Sequence, residues 1–233
     1  MALLVLFDID GTLVDTDRAG RIALQQAFET LFGVTQFADK TRHVRFGGRT
    51  DPDIVEDLAI ASGVAPETLR SHDAEFRLEY FRRLSVEMQR SNSRRRLYDG
   101  VLPLLERLQS EAVALGLVTG NFEQSARLKL TPFGINDYFP TGGFGSDDRQ
   151  RARIAQISYE RASRQHDTVF SPREVTVVGD TAMDVHCARE NGFRAVAVRT
   201  GWAAAGEIDQ AAADHVFDDL SDLPRALTAL GVR

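Results

Sequence analysis

The sequence predicts an α/β fold, a Rossmann-like core on a parallel sheet with an all-helical domain inserted near its start. Three observations carry this. Short, continuously apolar runs break off into polar residues, as strands covered on both faces require. Helical patterns alternate with those runs, the order of an α/β protein. Residues 15–97 show helix patterns and no convincing strand.

The first run, Ala2–Phe7, ends at Asp8-Ile9-Asp10-Gly11-Thr12. It is too short for a membrane span or the apolar part of a signal peptide. Helix patterns follow at Arg18–Phe32, Asp51–Ala61 and Pro66–Arg90, and Arg90–Arg96 reads as a solvated link back. The expected division is a core domain of residues 1–14 and 98–233 and a helical insertion of residues 15–97. The insertion carries a charge of +1 and the remainder −7.

Beyond the insertion, a helix pattern at Leu102–Ser110 precedes a strand run at Ala112–Val118, which ends at Thr119-Gly120-Asn121. A helix at Glu123–Thr131, a strand near Phe139–Phe144 and a helix at Arg151–Ser163 come next. The strand run Val175–Val178 ends at Gly179-Asp180-Thr181, before a helix at Met183–Asn191. A last run, Arg194–Val198, ends at Arg199-Thr200-Gly201. In such sheets the site lies beyond the carboxyl ends of the strands, where these polar clusters fall.

Composition narrows the function. With 43% hydrophobic and 27% charged residues in 233, the chain reads as a soluble globular protein. A net charge of −6 argues against a general nucleic-acid binder or a binder of anionic membranes. The one cysteine, Cys187, cannot form an internal disulfide, so a reducing, cytoplasmic location is expected.

Asp8 and Asp10, two apart after the first strand, would set two carboxylates together at the sheet edge. One is a competent nucleophile towards phosphorus, and the other can protonate a leaving oxygen and then deprotonate water. Asp and Gly are also ordinary turn residues, so the pattern alone does not separate a site from a capped turn. Thr119, Gly120 and Asn121 offer a hydroxyl and backbone N–H groups at a helix start, suited to phosphoryl oxygens or simply to capping. Asp180 and Asp184 would lie at the opening of another helix. They could serve Mg²⁺, which takes one or two carboxylates plus water and phosphate oxygens, or favour the helix dipole.

Taken together, FDIDGTLVDT (7–16), LVTGN (117–121) and VVGDTAMDV (177–185) resemble motifs I, II and IV of the haloacid dehalogenase superfamily of phosphohydrolases. The insertion resembles the helical cap of its phosphoglycolate phosphatase and β-phosphoglucomutase types. The resemblance implies Asp8 as nucleophile and Mg²⁺ ligand, and Asp10 as general acid/base with its carbonyl on the metal. It implies Thr119, Gly120 and Asn121 as the phosphoryl-binding group, with Asp180 and Asp184 on the metal. The implied reaction is hydrolysis of a small phosphorylated metabolite such as phosphoglycolate, by a monomer or homodimer. A phosphomutase, a phospho-acceptor domain and a silent binding module are the rivals. A dehalogenase would have no use for the acid at Asp10.

Motif III departs from the pattern, since Gly145–Arg151 contains no lysine. Arg149 is the favoured substitute, because it follows a strand and brings a permanent, forked charge. Lys129, one of two lysines against 26 arginines, is the rival, although it lies about 12 Å along its helix from Asn121. In the cap, Arg49 is the candidate grip on a substrate carboxylate or second phosphate, and Asp51 the expected cap of the helix that follows.

Overall fold

The computed structural model describes residues 2–92, 94–204 and 206–232. Its main sheet has six parallel strands in the order β5-β4-β1-β6-β7-β8. These are β1 (Leu4–Phe7), β4 (Ala114–Val118), β5 (Thr141–Gly143), β6 (Val175–Gly179), β7 (Arg194–Val198) and β8 (His215–Phe217). The chain moves outward from β1 through β4 to β5, then crosses back to β6 on the other side of β1. That reversal opens a crevice at the carboxyl ends of β1, β4 and β6.

All four residues of β1 are buried, and they alternate between two cores. Val5 and Phe7 face a cluster built with α6 (Val101–Ser110) and α11 (Leu223–Ala229). Leu4 and Leu6 face one built with α8 (Arg151–Gln165) and α9 (Ala182–Glu190). Burial on both faces explains the unbroken apolar run. In α6 the buried residues Val101, Leu104, Leu105 and Leu108 follow helical spacing and form one stripe against the sheet. Helix α7 (Glu123–Leu130) connects β4 to the turns before β5, and α10 (Glu207–Ala211) connects β7 to β8.

The insertion leaves and returns through a two-stranded antiparallel ribbon, β2 (Val14–Asp15) with β3 (Arg96–Leu97). Between them lie α1 (Ala19–Phe32), α2 (Phe37–Lys40), α3 (Asp51–Ser62), α4 (Pro66–Ser71) and α5 (Asp73–Gln89), packed around their own apolar cluster. Phe28 of α1 and Phe76 of α5 anchor it, with ring centroids 4.8 Å apart. The expected helix over Pro66–Arg90 is broken at His72. There Ser71 and His72 bond back to the Thr68 carbonyl at 3.0 and 2.9 Å, competing with the helical pattern. Among the described residues no helix is long and apolar enough to cross a membrane.

Candidate active site

Asp8 is the first residue past β1, and its N–H still donates to Val178 O of β6 at 2.9 Å. That bond extends the ladder one step and fixes the carboxylate at the crevice. Thr181 is the N-cap residue of α9, and Asp184 completes a capping box, its Oδ2 accepting from the Thr181 N–H at 3.1 Å and from the Thr181 hydroxyl at 2.7 Å. One oxygen each from Asp8, Asp180 and Asp184 lies within 4.8 Å of the others, and all three residues are buried. The Asp180 carboxylate is enclosed by backbone. A Cβ added at Gly11 or Gly201 would fall 2.5 or 1.7 Å from its Oδ2, so both approaches require glycine.

Burial pushes the Asp8 carboxyl up to about 6, with Arg151 opposing the shift and Asp184 and Asp10 adding to it. Burial, followed by repulsion from Asp8 and Asp184, raises Asp180 well above the usual carboxylate range. Asp180 Oδ1 is buried without a hydrogen-bond partner. Hard oxygen donors, an orphaned carboxylate oxygen and a surplus of negative charge fit a divalent cation such as Mg²⁺.

The basic group beside Asp8 is Arg151. Its Nη2 donates to Asp8 Oδ1 at 2.8 Å, Asp184 Oδ1 at 2.5 Å and Val118 O at 3.2 Å. The favoured Arg149 is elsewhere. Its exposed guanidinium pairs with Asp53 and Glu56 of the insertion at 2.8 and 2.6 Å. The difference lies in helix geometry: Arg151 is the first residue of α8, and helical side chains lean towards the amino end, here back over the crevice. Its place as the opening residue of the helix after β5 was the signal in the sequence.

Lys129 is buried, with Nζ 2.6 Å from both Asp10 Oδ2 and Asn121 Oδ1. Burial opposes its charge, but the pull of Asp10 and Asp51 more than offsets this and raises its pKa. The distance along α7 misleads because the Asn121 side chain folds back to meet it. Asn121 Nδ2 also donates to Asp10 Oδ2 at 2.8 Å and to Thr119 Oγ1 at 2.7 Å. Both donors to Asp10 use Oδ2.

The loop before α3 rests directly on Gly120 and on Met183 of α9. A Cβ on Gly120 would meet Arg49 O at 2.0 Å, and one on Gly48 would meet the Met183 side chain at 2.8 Å. Arg49 itself turns away, pairing with Asp57 at 2.6 Å. Thr50, not Asp51, caps α3, since its hydroxyl oxygen faces the Asp53 N–H.

A parallel sheet with acidic residues clustered at its point of reversal, overhung by a helical insertion, defines an α/β protein with a candidate cation site. The chain belongs to the haloacid dehalogenase-like hydrolase family, whose model matches residues 5–198. It is 26% identical over 226 residues to a phosphoglycolate phosphatase of Synechococcus elongatus, covering 97% of each chain. It is 28% identical over 230 residues to the tyrosine-protein kinase PtkA of Mycobacterium tuberculosis, covering 98% of this chain and 72% of that one. The structure of CbbY from Rhodobacter sphaeroides in complex with phosphate shares the fold, with a TM-score of 0.74, 19% identity and complete coverage of both chains.

Proposed function

We propose that the protein is a Mg²⁺-dependent phosphatase that hydrolyses a small phosphorylated metabolite, of the phosphoglycolate kind, through an aspartyl-phosphate on Asp8. The observation that carries this reading is the pairing of two aspartates with two separate cations, Asp8 with Arg151 and Asp10 with Lys129. A nucleophile and a proton-transfer group two residues apart need different surroundings to act differently.

In the first step an Asp8 carboxylate oxygen forms a bond to phosphorus while the ester P–O bond breaks. Asp10 gives its proton to the departing oxygen. In the second step water attacks the phosphorus of the acyl-phosphate, the P–O bond to Asp8 breaks, and Asp10 takes the water's proton. Thr119 and the Gly120 and Asn121 amides hold the phosphoryl oxygens, and Arg151 orients Asp8. When bound by Asp8, Asp180, Asp184 and the Asp10 carbonyl, Mg²⁺ supplies charge neutralisation for the transferring group. The cap loop against Gly120 excludes bulk water.

A phosphomutase needs a second phosphate grip in the cap, and Arg49 is already engaged by Asp57. The relatives named as tyrosine kinases make phosphoryl transfer to protein tyrosine the second reading. The test is a screen of phosphorylated metabolites for released phosphate, with Mg²⁺ or EDTA, beside incubation with ATP and a tyrosine peptide. Release of phosphate that depends on Mg²⁺ and is abolished in Asp8→Asn supports the proposal. Full activity of that variant on an aryl phosphate, or phosphotyrosine without hydrolysis, overturns it.

A further inference from the structure

Helix α7 follows the Thr119-Gly120-Asn121 loop, so its first turn sets where those amides point. Its N-cap position is held by Phe122, a residue with no side-chain acceptor, and α7 has no side-chain cap of its own. An acceptor for the Phe122 N–H itself comes from the insertion. Asp51 Oδ2 accepts from the Phe122 N–H at 2.8 Å and lies 2.9 Å from the Ser125 hydroxyl. The Asp51 N–H in turn donates to Gly120 O at 2.7 Å.

The Phe122 ring completes the attachment, since it packs within the apolar cluster of the insertion rather than in either sheet core. It meets Phe81 edge-on at 5.9 Å, with the Arg77 guanidinium 4.7 Å from its centroid. Asp51 is buried, and Lys129 opposes the upward shift that burial gives its carboxyl. Because Thr50 caps α3, Asp51 is free to reach across to α7.

We infer that Asp51 is a positioning residue, an acceptor that the insertion supplies to the Phe122 N–H and the Ser125 side chain and that assembles the phosphoryl-binding loop only when the cap is docked. The inference rests on the proposed role of residues 119–121, and it gives the insertion a part in binding the transferring group as well as covering it. With the cap displaced, the loop loses the acceptor for Phe122, the donor for Gly120 and the ring that anchors its end. Phosphate affinity and cap docking are then coupled, because each favours the same loop conformation.

The test is amide hydrogen exchange across residues 117–130 in the full chain, with inorganic phosphate as the probe ligand. In Asp51→Ala, exchange at Phe122 is expected to accelerate roughly tenfold, about 1.4 kcal/mol. Amides of β1 and β6 should hold their rates, and the inhibition constant for phosphate should rise by a similar factor. Asp51→Asn, which keeps an acceptor, should restore part of both. Ser125→Ala removes one of the two donors and guards against an Asp51 variant that fails to fold; it should give a smaller change of the same kind. Unchanged exchange at Phe122, or equal acceleration throughout the sheet, overturns the inference. The exchange result stands even if no phosphatase activity is found, so failure of the functional reading is distinguishable.

Discussion

Removing divalent cations at different pH values probes the charge balance around Asp8. Its carboxyl is raised from 3.8 to about 6, chiefly by burial. At about 1.36 kcal/mol per unit, the shift corresponds to roughly 3 kcal/mol. Between these values the folded protein keeps a proton on Asp8 that the unfolded chain has released. Stability of the metal-free protein therefore falls as pH rises through that window. Asp180, raised for the same reason, acts in the same direction. Glu79 acts oppositely but lower, since its two arginine partners hold it at about 2 and its contribution is lost only below the usual range. A cation held by ionised carboxylates reverses the penalty, so stabilisation by Mg²⁺ should be small near about pH 4.5 and grow towards about pH 7.5. Urea unfolding followed by circular dichroism, in EDTA and in excess MgCl₂, measures both curves. The reasoning fails if metal-free stability is flat or rising across the window, or if Asp8→Asn keeps the full slope.

Two other substitutions test the placement of groups. Arg151→Met strands buried carboxylates and should cost about 3–5 kcal/mol in metal-free unfolding experiments. Arg149→Ala breaks only exposed pairs and should cost under about 1 kcal/mol while leaving turnover near that of the wild type. Gly120→Ala places a Cβ 2.0 Å from Arg49 O. It should force the cap loop off the core, raising KM and weakening inhibition by phosphate, with most of the thermal stability retained.

The central strands were legible because burial on both faces leaves an unbroken apolar run, and β1, β4, β6 and β7 all have one. Strand β8 is short and half exposed, so it left no such trace. The paired strands β2 and β3 have two residues each and are recognisable only from their pairing. Acidic residues at strand ends were legible through spacing, since Asp8, Asp180 and Asp184 each sit where a strand or a helix cap fixes them. Arg151 was overlooked because its contact depends on the direction a first-turn side chain takes, not on its distance from the strand. Asp51 was assigned to its own helix, and its true partner lies 71 residues away. Local rules cannot reach an acceptor supplied by another part of the chain.

The chemistry of the two cations follows their surroundings. Arg151 brings one guanidinium nitrogen, Nη2, to two carboxylates and a carbonyl, whereas Lys129 brings a compact charge to Asp10 and Asn121. With all three carboxylates ionised, one guanidinium leaves the cluster around Asp8 two charges negative, a deficit matched by one divalent ion. On the other side Lys129 already balances Asp10, and Asp51 adds a further acidic group from the cap. The ribbon carrying the cap begins beside this half, where Asp10 bridges to Val14. Swinging the insertion outward on that ribbon would withdraw Asp51 from the amino end of α7. Return of the cap restores Asp51 to the amino end of α7 and orders the loop around the bound group. The geometry of binding therefore turns on one residue of the insertion, which makes Asp51 the substitution that most sharply separates a lid that only covers the site from one that builds it.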